Sequence, residues 1–308
     1  MINVQHIQAS QCSVTGQRID TLIAEYPRCI HAQLLTHRVF SKNSSSTRAI
    51  PLHKAIQQIR DNPAEYIWTA KQAGMQGEVI TDEDQLLHIN GRNLIALEDA
   101  IYHAESLVNK LGVHKQNAGR YLEPFQNIKI VLTSTEWENW DWLRDDAAAQ
   151  GEIAELARKI SEARKNAEPM VLNEGEWHVP FVERFRDVDG DLRYLTEETD
   201  YINAEEAKLI SMSVCAQTSY RNSDYSLEKA IDMKSKLLDS KKVHASPSEH
   251  IATPIPEYNT DSGDFASIMF GLPNGVTHID RKGAMWSGNL KGFIQFRQTL
   301  KGHDKAKD

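Results

Sequence analysis

The stretch Gln33-Leu34-Leu35-Thr36-His37-Arg38-Val39-Phe40-Ser41-Lys42-Asn43-Ser44-Ser45-Ser46-Thr47-Arg48 changes character halfway along. Upstream, residues 26–40 are apolar, and Ile30, Leu34 and Leu35 recur at helical spacing. The basic pair His37 and Arg38 stands at the end of that run, before a turn of hydroxyls closed by Arg48 and Pro51. Hydroxyls, exposed turn amides and a guanidinium are what a phosphate ester needs. A solvated helix end with a serine-rich loop fits the same residues, and on chemistry alone the two readings stand level.

Working outward, the chain has 308 residues, enough for one large domain or two small ones. With 40% hydrophobic and 25% charged residues it reads as an ordinary globular protein. No apolar run is as long as a membrane span, and the polar first twenty residues do not read as a signal peptide, so a cytoplasmic location is expected. The three cysteines, Cys12, Cys29 and Cys215, form neither a CxxC pair nor a disulfide framework, so no metal site is expected. A net charge of -8 weighs against a nucleic-acid backbone as main partner. A local cluster of arginines can still oppose it at a small anionic substrate.

The elements alternate irregularly. Helices are expected over 95–111, stopped by Gly112, over 145–165, with Asp145 and Asp146 in its first turn, and near 204–218 and 226–239. A strand is expected over 127–135. Residues 166–200 read as a charged connection with a short hairpin at Asp189-Gly190, and the tail from 254 as irregular, with 286–300 ordered. This mixed order predicts an α+β fold over a single domain, 1–308. GxGxxG and Walker A patterns are absent.

Three further stretches carry candidate chemistry. In 113–121, Arg120 suits a phosphate or carboxylate, although a surface arginine is the more ordinary reading. In 133–144, Trp137, Trp140 and Trp142 fall among six residues, interleaved with Asn139, Asp141 and Arg144. They could stack a ring and read its polar edge, or belong to the core. The stretch His244-Ala245-Ser246-Pro247-Ser248-Glu249-His250 does not place two histidines on one helix face, which argues against a metal. It suits a cofactor lining, or a capping box from Ser246 to Glu249.

Together these blocks resemble the flavin-dependent thymidylate synthase family, ThyX. Its Arg-His-Arg, short run, Ser, Arg signature is matched by Thr36-His37-Arg38, seven residues, then Ser46-Thr47-Arg48. VHKQNAGRYLEPF (113–125) and TSTEWENWDWLR (133–144) resemble the segments that supply substrate arginines and a flavin-contacting asparagine. CAQTSY (215–220) and HASPSEH (244–250) resemble the ARVS and HxxPxEH blocks. The resemblance covers about 26 to 250. HxxPxEH follows the Arg-His-Arg block, as in longer members of the family. Compact members have it first, and such a rearrangement is tolerable where chain ends lie close.

The resemblance implies methylation of dUMP to dTMP, with methylenetetrahydrofolate as carbon donor and NADPH-reduced FAD supplying reducing equivalents. It implies that His37, Arg38, Val39 and Asn43 lie near flavin and folate. Gln33, Ser46, Arg48, Arg120 and Arg144 would bind dUMP, and Asn139, Ser219, His244, Ser246 and Glu249 would line FAD. His37, Arg38, Arg144 and His244 are the expected catalytic group. A homotetramer with FAD sites between subunits is also implied. Thr36 stands where the family has arginine, Ser44 where compact members are acidic, Gln217 and Thr218 within the ARVS block, and Asp145 to Ala148 where many carry a histidine. Transfer of another one-carbon group, giving hydroxymethyl-dUMP or methyl-dCMP, and a nucleotide- or RNA-binding module without catalysis stay open beside dTMP synthesis. No Pro-Cys-His nucleophile motif is present for the cysteine-dependent alternative.

Overall fold

Two ten-residue strands, β1 (Asn3–Cys12) and β2 (Arg18–Pro27), pair antiparallel around a turn in which Gly16 takes φ +69°. The polar look of the first 25 residues hid this hairpin, because β2 sits mid-sheet with both faces covered and so lacks simple alternation. The computed structural model describes residues 2–73, 77–218, 222–256, 272, 276–280 and 282–303.

The helix read over 26–40 is corrected. Tyr26 and Pro27 complete β2, a 3-10 turn follows at Arg28–Ile30, and helix α1 is only His31–Leu35. Strand β3 (Ser41–Ser44) then returns to the sheet, and α2 (Leu52–Asp61) starts behind Pro51. Helix α3 (Glu83–Asn109) begins earlier than expected, because the Asp82 side chain caps it by accepting from the Gln85 amide at 2.7 Å. It ends as expected at Gly112, whose φ of +64° lets the Val113 amide reach the Leu107 carbonyl at 2.9 Å. A single turn, α4 (Lys115–Ala118), precedes β4 (Asn127–Ser134), the expected strand.

The helix expected over 145–165 starts later, as α6 (Gly151–Lys165), and an unexpected helix, α5 (Glu138–Arg144), precedes it and ends at Asp145. Between them the Asp146 carboxylate accepts the Ala148 amide at 2.7 Å, the local bond by which aspartate competes with helix. Glu152, rather than Asp145 or Asp146, is the acid in the first turn of α6.

Short β5 (Met170–Leu172) runs parallel to β1 and completes a five-stranded sheet of order β3-β4-β2-β1-β5. The hairpin at Asp189-Gly190 forms as expected, from β6 (Glu183–Arg186) and β7 (Leu192–Leu195), with β8 (Tyr201–Ile202) beside it. Helices α7 (Ala204–Ala216) and α8 (Leu227–Leu237) also follow expectation, and α7 carries an Asn203–Glu206 capping box. After β9 (Ala252–Pro254), the tail read as irregular is corrected where it is described. It contains β10 (His278–Ile279), β11 (Met285–Ser287), β12 (Leu290–Lys291) and β13 (Phe293–Gln295), and β13 pairs with β9. The order expected of 286–300 is present.

One face of the large sheet packs Leu22, Ala24, Tyr26, Ile130 and Leu132 against Ile153, Leu156 and Ile160 of α6 and against Trp137 and Trp140. The opposite face is polar yet buried. Ser10, Thr21 and Thr133 line up there beneath His178 and His250. Hydrogen bonds run Ser10 Oγ–His178 Nδ1 at 2.6 Å, His178 Nε2–Thr21 Oγ1 at 2.9 Å, Thr21–Thr133 at 2.6 Å and Thr133–His250 Nδ1 at 2.9 Å. Such a network specifies the packing of the 244–250 segment onto the sheet, since each unmade bond would cost about 1–3 kcal/mol. Among the described residues no helix is long and apolar enough to cross a membrane.

Candidate functional site

Helix α1, the turn after it, and α5 converge beside the edge of the sheet. Arg144, the last residue of α5, reaches back to the 33–37 turn. Its Nε donates to His37 Nε2 at 3.0 Å, and its Nη2 donates to the Thr36 hydroxyl at 3.2 Å and the Gln33 carbonyl at 3.4 Å. The ring of His37 is buried, stacked on Phe40 and edge-on to Trp140 at 4.8 Å. Burial, then the charges of Arg144 and Lys42, push its imidazole down to about 4. His37 is therefore a neutral acceptor. Thr36 serves here as a hydrogen-bond partner of Arg144.

Strand β3 carries the second part of the site. Ser41 meets Gln295 and Asn289, Asn43 donates to the Cys215 carbonyl at 3.1 Å, and Lys42 Nζ donates to the His37 carbonyl at 2.8 Å. Burial lowers the Lys42 pKa and the Glu249 carboxylate partly restores it. Glu249 also pairs with Arg297. Gln295 links the 33–48 block to the 244–250 block, since its Nε2 donates to the Ser41 hydroxyl at 3.0 Å and to the Glu249 carbonyl at 2.9 Å. The Val39 carbonyl accepts from Asn289 Nδ2 at 2.9 Å.

The other expected residues lie at the surface. Arg38, Arg48 and Arg120 are exposed, and among the described residues none of their guanidiniums holds an ion pair. Lys115 donates to the Ala49 carbonyl at 3.4 Å, which brings the start of the 113–125 block against the hydroxyl loop that carries the exposed Ser46. Asn139, His244 and Ser246 are exposed, and Ser219 lies outside the described residues. The tryptophan cluster divides. Trp137 and Trp140 are core, whereas Trp142 is 76% exposed and alone offers an open ring face. A pocket of about 260 Å³ is lined by Phe181 and Tyr225, and one of about 290 Å³ by Asp145, which follows Arg144, with Arg158 and Glu162.

Sequence reading missed Lys42, Gln150, Glu152, Asn289, Gln295 and Arg297. Lys42 sat inside the quoted stretch and was legible by position. Gln150 and Glu152 follow Arg144 closely but meet Gln33 only through the fold, and Asn289, Gln295 and Arg297 are brought in by the chain's return from a distant segment.

No protein-family model matches this sequence, and no curated protein matches it. Among solved structures it is similar to a UMP/dUMP methylase, PolB, from Streptomyces cacaoi, solved with 5-Br UMP. The two share 16% identity over 53% of this chain and 88% of the other, with a TM-score of 0.42. It is also similar to Thymidylate Synthase X (ThyX) from Helicobacter pylori, solved with FAD and dUMP. That pair shares 16% identity over 47% of this chain and 67% of the other, with a TM-score of 0.34.

Proposed function

We propose that this chain is a flavin-dependent enzyme that adds a one-carbon group to a pyrimidine nucleotide, with conversion of dUMP to dTMP as the leading reaction. The observation that carries this reading is the contact of Arg144 with His37, Thr36 and Gln33. It unites two sequence blocks that each resemble the substrate-binding parts of the ThyX pattern. Exposed Arg48 and Arg120, with Ser46, suit the nucleotide phosphate. Arg144, held in one orientation, suits the negative charge that develops on the pyrimidine oxygens. The donor set around β3, with Arg38, Lys42 and Asn43, fits an anionic, ring-bearing cofactor, and Val39, Asn139, His244, Ser246 and Glu249 are assigned to its surroundings. FAD bound there and reduced by NADPH would supply the reducing equivalents, with methylenetetrahydrofolate as the carbon source. A homotetramer with sites between subunits belongs to this reading and suits a site that is open on the single chain.

The second reading, another carbon group or a cytosine nucleotide, is favoured by Thr36 and by the Asp145–Asp146 turn, where the pattern is altered. The deciding experiment is anaerobic incubation with FAD, NADPH, methylenetetrahydrofolate and either dUMP or dCMP, followed by product mass. dTMP from dUMP supports the first reading. A hydroxymethyl or cytosine product moves the assignment to the second. Colourless protein that cannot take up FAD rejects both.

A further inference from the structure

Gln33 does not stand alone. Its Nε2 donates to Gln150 Oε1 at 2.6 Å, and Gln150 Nε2 donates to Glu152 Oε2 at 2.9 Å. The other oxygen of Glu152 accepts the Ile67 amide at 2.8 Å. Glu152 is only 4% exposed. Glycine at 151 makes this approach possible, since a Cβ there would stand 2.9 Å from Ile67 Cδ1.

A side-chain amide can usually be turned either way, but a carboxylate accepts and cannot donate. Glu152 therefore takes the NH2 end of Gln150. The carbonyl end of Gln150 is then left for Gln33, which must offer its own NH2. We propose that Glu152 and Gln150 are positioning residues that transmit the polarity of a buried carboxylate to Gln33, so that Gln33 presents its carbonyl oxygen, as an acceptor, to the nucleotide base. The inference rests on the reading of Gln33 as a nucleotide-binding residue. Beside it, Arg144 has Nη1 left to donate, its Nε and Nη2 being engaged by His37, Thr36 and the Gln33 backbone carbonyl. An acceptor next to a donor matches the ring N–H and adjacent carbonyl of a uracil-type base.

Glu152→Gln reverses the relay without changing its shape. Its carbonyl keeps the Ile67 amide, its NH2 turns Gln150 over, and Gln33 then shows NH2 to the base. Two donors now face the ligand, which suits the unprotonated ring nitrogen of cytosine instead.

The test is calorimetric binding of dUMP and dCMP to the full-length protein and to Glu152→Gln, Glu152→Asp, Gln150→Leu and Gln33→Ala, with thermal melting of each. The expected result is a rise of about tenfold in the dUMP Kd of Glu152→Gln, the loss of one hydrogen bond, without a parallel rise for dCMP. Glu152→Asp, which keeps the acceptor, retains the preference. Gln150→Leu loses it with the fold intact, and carries the test if Glu152→Gln does not fold. An unchanged dUMP-to-dCMP ratio in folded Glu152→Gln or Gln150→Leu, while Gln33→Ala weakens dUMP, overturns the relay alone. Unchanged dUMP binding in Gln33→Ala overturns the relay together with the substrate reading of Gln33.

Discussion

Arg144 donates its Nε–H to Nε2 of His37 at 3.0 Å, across 107 positions of the chain. A guanidinium has no acceptor to offer, so Nε2 of His37 must be bare and the ring proton sits on Nδ1. The pair is therefore a neutral imidazole orienting a cation, rather than two cations in repulsion.

Arg144→Ala removes that charge from beside His37. The His37 pKa should rise from about 4, short of its ordinary value because burial remains the larger cause. NMR titration of the imidazole checks this, and an unmoved pKa would separate the two residues in solution.

Arg48→Ala should weaken dUMP binding by about 2 kcal/mol, the loss of a charge-assisted phosphate contact. Because Arg48 is exposed, the parent protein should also lose affinity as salt is raised, and the variant less so. Equal salt dependence in both would remove Arg48 from the phosphate.

Stability should fall as pH drops through the window from about 6.5 to 3. His250 is pushed down to about 3 and His178 well below its usual value, both chiefly by burial. Across that window the unfolded chain binds protons that the folded chain refuses, so acid favours unfolding and stability returns as pH rises. His250→Asn keeps a partner for Thr133 without a titrating ring. Its denaturation midpoint should depend less steeply on pH between 6 and 4, and parallel curves would contradict this account.

Thr133→Val deletes the hydroxyl shared by Thr21 and His250. The expected loss is about 2–4 kcal/mol of unfolding free energy, since two buried groups lose a partner at once. Denaturant titration measures it, and a loss below ~0.5 kcal/mol would mean the network is not a determinant of packing.

Replacing Cys12, Cys29 and Cys215 by Ala should leave product formation in place. Burial raises the thiol pKa at Cys29 and Cys215, the reverse of what a nucleophile needs. Loss of turnover in folded, flavin-loaded protein would restore a cysteine mechanism.

Local chemistry by itself determined much of this protein. The strand at Asn127–Ser134, the stop at Gly112, the hairpin at Asp189-Gly190 and helices α7 and α8 follow from periodicity, turn residues and caps, which act within a few residues. His37 and Arg144 were legible as candidates from basic side chains at apolar and aromatic boundaries, whereas Gln33 was a candidate only through the family resemblance of its stretch. The tertiary structure alone decided the rest. Strand β2 hid its nature because burial on both faces erases alternation. Trp137 and Trp140 went to the core and Trp142 to the surface, a division set by which side of α5 meets the sheet. Gln150 and Glu152 meet Gln33 only through the fold, and Asn289 and Gln295 reach the site only because the chain returns to it. A buried polar group must find a donor or acceptor wherever the fold supplies one, and that choice is not written near the group in the sequence.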